Sequence, residues 1–279
     1  MSRPGWRLVS SFAVLSAIAV ASGVVTMVLA DIPTSRWIPN VAAWLVGALA
    51  AVVVVRAKPG HRSWLSIAFI GALLLAATLT GPDQMGVRRW IAIGPLSGNI
   101  AALVLPAVIV ALARLGATHR ATPIIATLLV ATLVLQPDAS QAIALALASL
   151  AVLLPARSPL GWSAVASIGG MAGLSLVQPD PLMPVPEVEQ IIQMAGSVHI
   201  ALAAVAVATL AALPLVVWRM CPADTAARAL AAYTGAVIAA PVFGWFPVPL
   251  VGAGMSFPLG LWLGVALLAT ANADVRAAV

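Results

Sequence analysis

The chain has 279 residues, of which 62% are hydrophobic and 8% charged, and its net charge is +6. A soluble domain carries about 25% charged residues, so the composition excludes a soluble protein and indicates an all-α integral membrane protein. A β-barrel would need short alternating segments, and the long Ala/Leu/Val runs do not alternate. The basic residues are scattered between the apolar runs and form no basic stripe, which indicates no nucleic-acid partner. The single cysteine excludes an internal disulfide.

Ten apolar runs, each bounded by charge, Pro or Gly, predict about ten transmembrane helices in a single polytopic domain covering 1–279. The first run is too long for the apolar core of a signal peptide and is interpreted as a retained span. The 36 residues between Arg120 and Arg157 would form a helix of about 54 Å. We therefore divide them at Pro137 into a helical hairpin with Asp138 at its tip. The predicted spans are 8–30, 38–56, 63–80, 97–116, 121–136, 139–156, 161–178, 195–218, 226–246 and 253–272.

The distribution of charge predicts the direction of these spans, with both termini cytoplasmic. Eleven basic residues then lie inside and three outside, a strong positive-inside bias. The inner basic residues are Arg3, Arg7, Arg56, Lys58, Arg62, Arg114, Arg120, Arg157, Arg219, Arg228 and Arg276, and the outer ones are Arg36, Arg88 and Arg89. The acids divide the other way, with Asp31, Asp83, Asp138, Asp180, Glu187 and Glu189 outside and Asp224 and Asp274 inside.

The segment 86–95 carries Arg88 and Arg89 beside Trp90 on the outer side. Arginine offers fixed, bidentate donors to phosphate oxygens, so the pair suits an anionic lipid headgroup. The alternative is an interfacial anchor, in which the tryptophan lies at headgroup level and both arginines extend toward water.

The segment 135–138 forms the tip of the predicted hairpin. The carboxylate of Asp138 is placed to bind a cation, to accept a proton, or to pair with Arg88 or Arg89. The alternative is a capped turn between two helices.

The outer loop, residues 178–190, holds Asp180, Glu187 and Glu189. Three carboxylates in ten residues of a nearly uncharged chain suit a general base or a metal site. The alternative is a solvated loop stiffened by proline. His199, further along, is predicted to be buried and hydrogen bonded.

The segment 246–256 combines Pro-x-Pro with small residues before the last span. Such a segment breaks helical structure and lets backbones approach closely. It is expected either to line a cavity or to form a tight helix–helix contact.

The order of three of these motifs resembles the SEDS family (shape, elongation, division and sporulation; RodA, FtsW and SpoVE-like proteins). That family has ten spans. It shows G-x-x-R-W-I-x-x-G-P before span four, L-Q-P-D between spans five and six, and P-L-P-F-I-S-Y-G-G-S-S before span ten. The matching segments here are 86–95, 135–138 and, in eroded form, 247–257. The chain is identified as a short, divergent member.

The resemblance implies a peptidoglycan glycosyltransferase that polymerises lipid II on the outer face of the bacterial cytoplasmic membrane, in cell-wall synthesis, cell shape or division. It implies a polyprenyl-pyrophosphate-linked saccharide as ligand, near Arg88, Arg89 and Trp90. The expected partner is a class B penicillin-binding transpeptidase or another envelope membrane protein.

The resemblance also implies a catalytic base in the outer loop. Glu189 takes the position of the family's aspartate, and Asp180 and Glu187 are the alternatives. Asp138 is expected to be a cation or arginine partner in the cleft. The metal requirement stays open, and a divalent cation is the one cofactor considered.

The chain also departs from the family pattern. Residues 97–102 lack the family's glutamate, Leu105 replaces its lysine, and no His-Thr precedes Glu189. The second hypothesis is therefore a catalytically degenerate membrane subunit that binds a polyprenyl-linked saccharide or scaffolds a transpeptidase. A solute transporter is disfavoured, because the ionisable residues lie at span ends.

Overall fold

The computed structural model describes residues 3–94 and 96–271. Pro95, Asp274 and Arg276, which the sequence analysis used, lie outside the described residues. Short 3-10 turns follow three of the helices, at Thr78–Thr80, Leu154–Ala156 and Ala240–Val242. One antiparallel hairpin joins β1 (Trp90–Ile93) to β2 (Leu96–Asn99), with Trp90 opposite Asn99. The helices are α1 (Arg3–Leu29), α2 (Thr34–Ala57), α3 (His61–Ala77), α4 (Ile100–Leu115), α5 (Ala121–Leu135), α6 (Ala139–Leu153), α7 (Pro159–Val177), α8 (Pro186–Glu189), α9 (Ile191–Val198), α10 (Ile200–Met220), α11 (Thr225–Ala239) and α12 (Ser256–Ala271).

Ten apolar helices account for the predicted spans. Six have the length and composition to cross a membrane, and within the described chain these lie in α1, α2, α3, α7, α10 and α11. Four shorter apolar helices, in α4, α5, α6 and α12, complete the set. The predicted all-α membrane fold with about ten spans is confirmed.

Polar side chains fix where several helices begin. Four helices begin at a side chain that accepts a hydrogen bond from a backbone N–H of the first turn. These caps are Asn99 for α4, Asp138 for α6, Ser158 for α7 and Asp224 for α11. The first N–H groups of a helix have no partner within it, so each cap stabilises its helix by about 1 kcal/mol. Asn99 and Asp138 also hydrogen bond to each other, which ties the start of α4 to the start of α6.

The core lies where α12 packs between α2 and α4. A side chain at Gly260 would meet the carbonyl oxygen of Ala102 at 2.1 Å, so α12 and α4 approach backbone to backbone. Small residues at helix contacts permit such packing within lipid. On the other side of α12, the buried ring of Trp262 makes edge contacts with Phe12 and Trp44, with centroids 4.9 and 5.7 Å away.

Several predicted spans differ from the helices that the structure shows. Residues 97–99 form strand β2 rather than the first turn of α4, and 243–255 form a loop, so span nine ends before 246. Span eight is broken at His199, where α9 ends and α10 begins. The prediction that His199 is buried was also wrong, because its ring is exposed and its Nδ1 accepts from the N–H of Ala201 to cap α10.

The ion pairs support the α5–α6 hairpin. Every ion pair among the described residues joins two groups that the charge analysis assigned to one side. Without the break at Pro137, the carboxylates after it would lie at the opposite end from Arg36 and Arg89. The outer pairs are Arg36–Glu187, Arg88–Asp83, Arg89–Asp138 and Arg89–Asp180, and the inner pair is Arg114–Asp224.

Candidate functional site

A cleft of about 480 Å³ opens at the end of the bundle assigned to the outer side. Its walls come from the start of α2, the β1–β2 hairpin, the start of α6, the outer loop and the loop between α11 and α12. The cleft therefore brings together four motifs that are far apart in sequence. The predicted site residues that line it are Arg89, Trp90, Asp138, Asp180 and Glu189.

Arg89 is the central cation of the cleft, with a side chain only 9% exposed. Its Nε donates to the carbonyl of Gln136 at 3.0 Å, and its Nη2 donates to the carbonyl of Pro137. The same Nη2 donates to Oδ2 of Asp180 at 2.8 Å, and Asp138 lies 3.9 Å from Nε. The turn between α5 and α6 thus fixes the plane of the guanidinium, while two carboxylates balance its charge.

Asp138 serves both as a helix cap and as an arginine partner, so the two sequence interpretations hold together. Its Oδ1 accepts from the hydroxyl of Ser140 at 3.1 Å and from the N–H of Gln141 at 3.4 Å. Its Oδ2 accepts from Nδ2 of Asn99 at 3.2 Å. Behind it, the hydroxyl of Tyr233 donates to Oε1 of Gln141 at 2.6 Å. The carboxylate is held by a buried polar network that rigidifies this wall.

Gln136 anchors the turn that holds Arg89. Its side chain is buried, and its Nε2 donates to the carbonyl of Leu75 at 3.2 Å and to the hydroxyl of Thr78. The turn is therefore fastened to the end of α3.

Arg88 does not line the cleft. Its Nε donates to Asp83 at 3.0 Å, its Nη1 donates to the carbonyl of Leu79 at 2.9 Å, and its side chain is 47% exposed. Hydrogen bonds from the N–H of Gly86 and from Arg88 hold the pKa of Asp83 below its usual value. Arg88 and Arg89 lead into β1, and successive side chains of extended backbone point to opposite sides. The predicted pair is thus divided between the surface and the cleft.

Glu187 holds the outer loop to α2. Its Oε1 accepts from Nε of Arg36 at 2.6 Å, and the Glu187 side chain is largely buried. Arg36 itself lines the cleft. Two backbone bonds fasten this part of the loop, from the N–H of Ala253 to the carbonyl of Glu187 at 2.8 Å and from the N–H of Val248 to the carbonyl of Val188 at 3.0 Å.

Glu189, two residues further on, lines the cleft. Its Oε2 accepts from the N–H of Val185 at 2.7 Å. Burial raises the pKa of Glu189 above its ordinary value, against the opposing effect of the bond from Val185.

The loop before α12 lines the cleft, which is one of the two expectations for it. Its close contact is with the outer loop and is not the helix–helix contact that was the other expectation. A side chain at Gly252 would meet the carbonyl oxygen of Val188 at 2.5 Å. Asn40, buried on α2, donates from Nδ2 to the carbonyls of Leu250 and Gly252 at 2.9 and 2.8 Å. This loop therefore supports the part of the outer loop that carries Glu187 and Glu189.

The carboxylates of the cleft are not arranged as a metal site. Within residues 3–94 and 96–271, no three His, Cys, Asp or Glu side chains are grouped to hold an ion. Asp138 and Asp180 already face Arg89. The donor set does not fit a divalent cation held by this protein alone.

Sequence reasoning missed four polar residues of this region: Arg36, Asn99, Gln141 and Tyr233. Arg36 could have been found from the sequence, because it is one of only three basic residues assigned to the outer side. The other three lie within or beside apolar helices, where a lone polar residue in one sequence indicates no partner.

The ten-helix bundle and its outer cleft define a polytopic membrane protein with a polar site at one membrane face. No family model matches the sequence, and no curated protein matches it. Among solved structures, the rod shape determining protein RodA of Thermus thermophilus is similar, with a TM-score of 0.71 and 19% identity, over 95% of this chain and 96% of that chain. A mutant of that RodA gives 0.69 at 19% identity, over 95% and 97%.

A third similar structure belongs to a peptidoglycan synthase complex described as coordinating polymerization and crosslinking. Its TM-score is 0.64 at 20% identity, over 95% of this chain and 97% of that one. The SEDS-like fold predicted from the three motifs is confirmed.

Proposed function

We propose that the protein is a SEDS-like peptidoglycan glycosyltransferase that binds a polyprenyl-pyrophosphate-linked saccharide, lipid II, in the outer cleft of the bacterial cytoplasmic membrane and extends a glycan strand from it. The observation that supports this most is that Arg89 and Glu189 line the same cleft. A cation for the leaving group and a base for the attacking group are the two functions that this transfer needs.

In the proposed reaction the acceptor sugar hydroxyl attacks the anomeric carbon of the donor. The bond from that carbon to the pyrophosphate oxygen breaks, and the lipid pyrophosphate leaves with the electron pair. Arg89 binds the pyrophosphate and stabilises the charge that develops on it. Glu189 takes the proton of the hydroxyl.

The contacts of the three outer-loop acids favour Glu189 as the base. Asp180 and Glu187 each bind an arginine directly, at 2.8 and 2.6 Å. Among the described residues Glu189 forms no ion pair with an arginine, and its Oε2 accepts from the backbone N–H of Val185. Its raised pKa also brings it nearer to that of an effective base at neutral pH.

The alternative is a catalytically degenerate subunit that keeps the fold and the lipid site and holds a penicillin-binding transpeptidase or another envelope protein. The specific observation in its favour is Leu105. At the position where the family has a lysine, this side chain is fully buried in α4 and does not line the cleft.

Polymerisation of lipid II by the purified protein tests the proposal. We expect Glu189→Gln to lower the rate by two to four orders of magnitude, about the share of a general base. Glu187→Gln is the matched control on the same loop and is expected to keep most of the activity. If Asp180→Asn alone abolishes polymerisation, the base is misassigned. If the wild type binds lipid II but forms no polymer, even with a transpeptidase present, the alternative replaces the proposal.

Binding is tested separately with the adjacent arginines. Arg89→Lys keeps the charge but loses the planar fork, so we expect about a tenfold loss of affinity for undecaprenyl pyrophosphate. Arg88→Lys is the matched control, because Arg88 lies outside the cleft, and we expect its affinity to equal that of the wild type. Equal affinities in both variants would remove Arg89 from the ligand site.

A further inference from the structure

We propose that Asp180 is an intramolecular competitor for the anion site: in the ligand-free protein its carboxylate occupies the position on Arg89 that a ligand phosphate takes. Ligand binding is then an exchange of one anion for another. The inference rests on the proposed ligand class, a lipid pyrophosphate, and it adds a residue that sets how tightly any phosphate is held.

The bonds of Arg89 divide into fixed and exchangeable ones. The two carbonyl acceptors, on Gln136 and Pro137, belong to the turn between α5 and α6, and that turn is fastened to α3. The third acceptor, Oδ2 of Asp180, belongs to the outer loop, and its side chain is 32% exposed. The carboxylate is thus the one of these three acceptors that a movement of the outer loop removes.

The segment 179–184 has little else to hold it. It contains Pro179, Pro181 and Pro184, which have no N–H to donate. Its backbone forms no hydrogen bond with another described segment, and the N–H of Leu182 donates only to Asp180 within the segment. The ion pair with Arg89 is therefore its polar tether.

The rest of the outer loop is fastened independently. The carbonyls of Glu187 and Val188 accept backbone bonds from the loop before α12, and Glu187 binds Arg36. When a ligand displaces Asp180, segment 179–184 is released while Glu189 keeps its place in the cleft. Exchange at Arg89 thus opens the site without moving the proposed base.

Competition of this kind has a quantitative signature. Every ligand that must displace Asp180 loses the same factor of affinity, whether it binds tightly or weakly. The reason is that the free energy of breaking the Asp180–Arg89 ion pair does not depend on the ligand. The weak phosphodiester headgroups of ordinary membrane lipids, which are abundant, are thereby kept off Arg89. A residue that contacts the ligand directly behaves differently, because its replacement changes the affinity for the ligand that it contacts more than the affinity for other ligands.

The affinity test uses two probes, undecaprenyl pyrophosphate and phosphatidylglycerol, with the full chain in nanodiscs. We expect Asp180→Asn to bind both probes about tenfold more tightly, with equal factors to within about twofold, as fits the removal of one partly buried opposing charge. Asp83→Asn is the matched control, since it breaks the neighbouring arginine–carboxylate pair outside the cleft, and it leaves both affinities unchanged. Weaker binding of either probe by Asp180→Asn overturns the proposal.

The tether test needs no ligand. A spin label at Met183, which is 81% exposed on the released segment, is placed in a Cys221→Ser background. We expect the label to be more mobile in Asp180→Asn than in wild type or Asp83→Asn, and undecaprenyl pyrophosphate to mobilise the wild-type label. Equal mobility in all ligand-free variants overturns the tether. If Asp180→Asn mobilises the label but the wild type does not bind undecaprenyl pyrophosphate, the proposed function is refuted while the tether stands.

Discussion

Replacing Arg89 by glutamine tests whether the cleft depends on one buried cation. The side chain is 9% exposed, and those of Asp138 and Asp180 are 5% and 32% exposed. Removing the cation leaves the charge of Asp138 buried and uncompensated. Breaking a buried pair costs about 3–5 kcal/mol, and since Asp180 turns to solvent we expect about 3 kcal/mol for Arg89→Gln.

The assay is unfolding of the purified protein in mixed micelles, titrated with sodium dodecyl sulfate. Arg88→Gln is the control on the adjacent, exposed arginine, and its unfolding midpoint is expected to equal that of the wild type. Adding Asp138→Asn to Arg89→Gln removes the unpaired charge and is expected to restore about half of the lost stability. If Arg89→Gln unfolds at the same midpoint as Arg88→Gln, the buried ion-pair network does not stabilise the fold.

Further predictions concern topology, pH dependence and packing. A cysteine at Asp83 is expected to react with an impermeant reagent from outside and one at Arg157 only from inside; reaction of the Arg157 position from outside would refute the α5–α6 hairpin, because a single span there would place it outside. Because burial raises the pKa of Glu189 and a base acts when deprotonated, the rate of polymerisation is expected to fall on acidification at a higher pH than an ordinary glutamate would give. A pH–rate profile whose acid limb persists in Glu189→Gln would contradict this. Gly260→Leu is expected to prevent folding, because even a methyl group there meets an α4 carbonyl, whereas Gly170→Leu on the open face of α7 should insert and unfold like the wild type. Tyr233→Phe leaves a buried amide without its donor and is expected to lower the unfolding free energy by about 1 kcal/mol; an unchanged midpoint would indicate that the network is not coupled to stability.

The number and order of the helices could be predicted because a bilayer needs long apolar runs and charge marks their ends. Pro137 and Asp138 gave the hairpin for the same reason, since neither residue fits the middle of a span. The hairpin β1–β2 was missed. The apolar run of α4 begins only at Ile100, and the two four-residue strands are too short to leave a periodic pattern in the sequence.

The site was predicted at the level of segments and not of side chains. The sequence places Arg88 and Arg89 together. Which of the two side chains enters the cleft depends on which face of the extended segment points inward, and the segment is too short for a hydrophobic pattern to show this. The pairing of Arg36 with Glu187 joins residues 151 positions apart. A single sequence carries no signal for such a contact, because it depends on how α2 and the outer loop meet in the folded bundle.

The short helices beside the site have a consequence for the surrounding lipid. α5 and α6 have 15 residues each, so each is about 22 Å long, against a hydrocarbon thickness of about 30 Å. α5 also exposes Ile124 and Leu128. Hydrophobic mismatch of this size is met by thinning of the adjacent bilayer. The outer headgroups then lie deeper beside the α5–α6 turn than elsewhere around the protein, which brings a lipid phosphate toward the depth of Arg89.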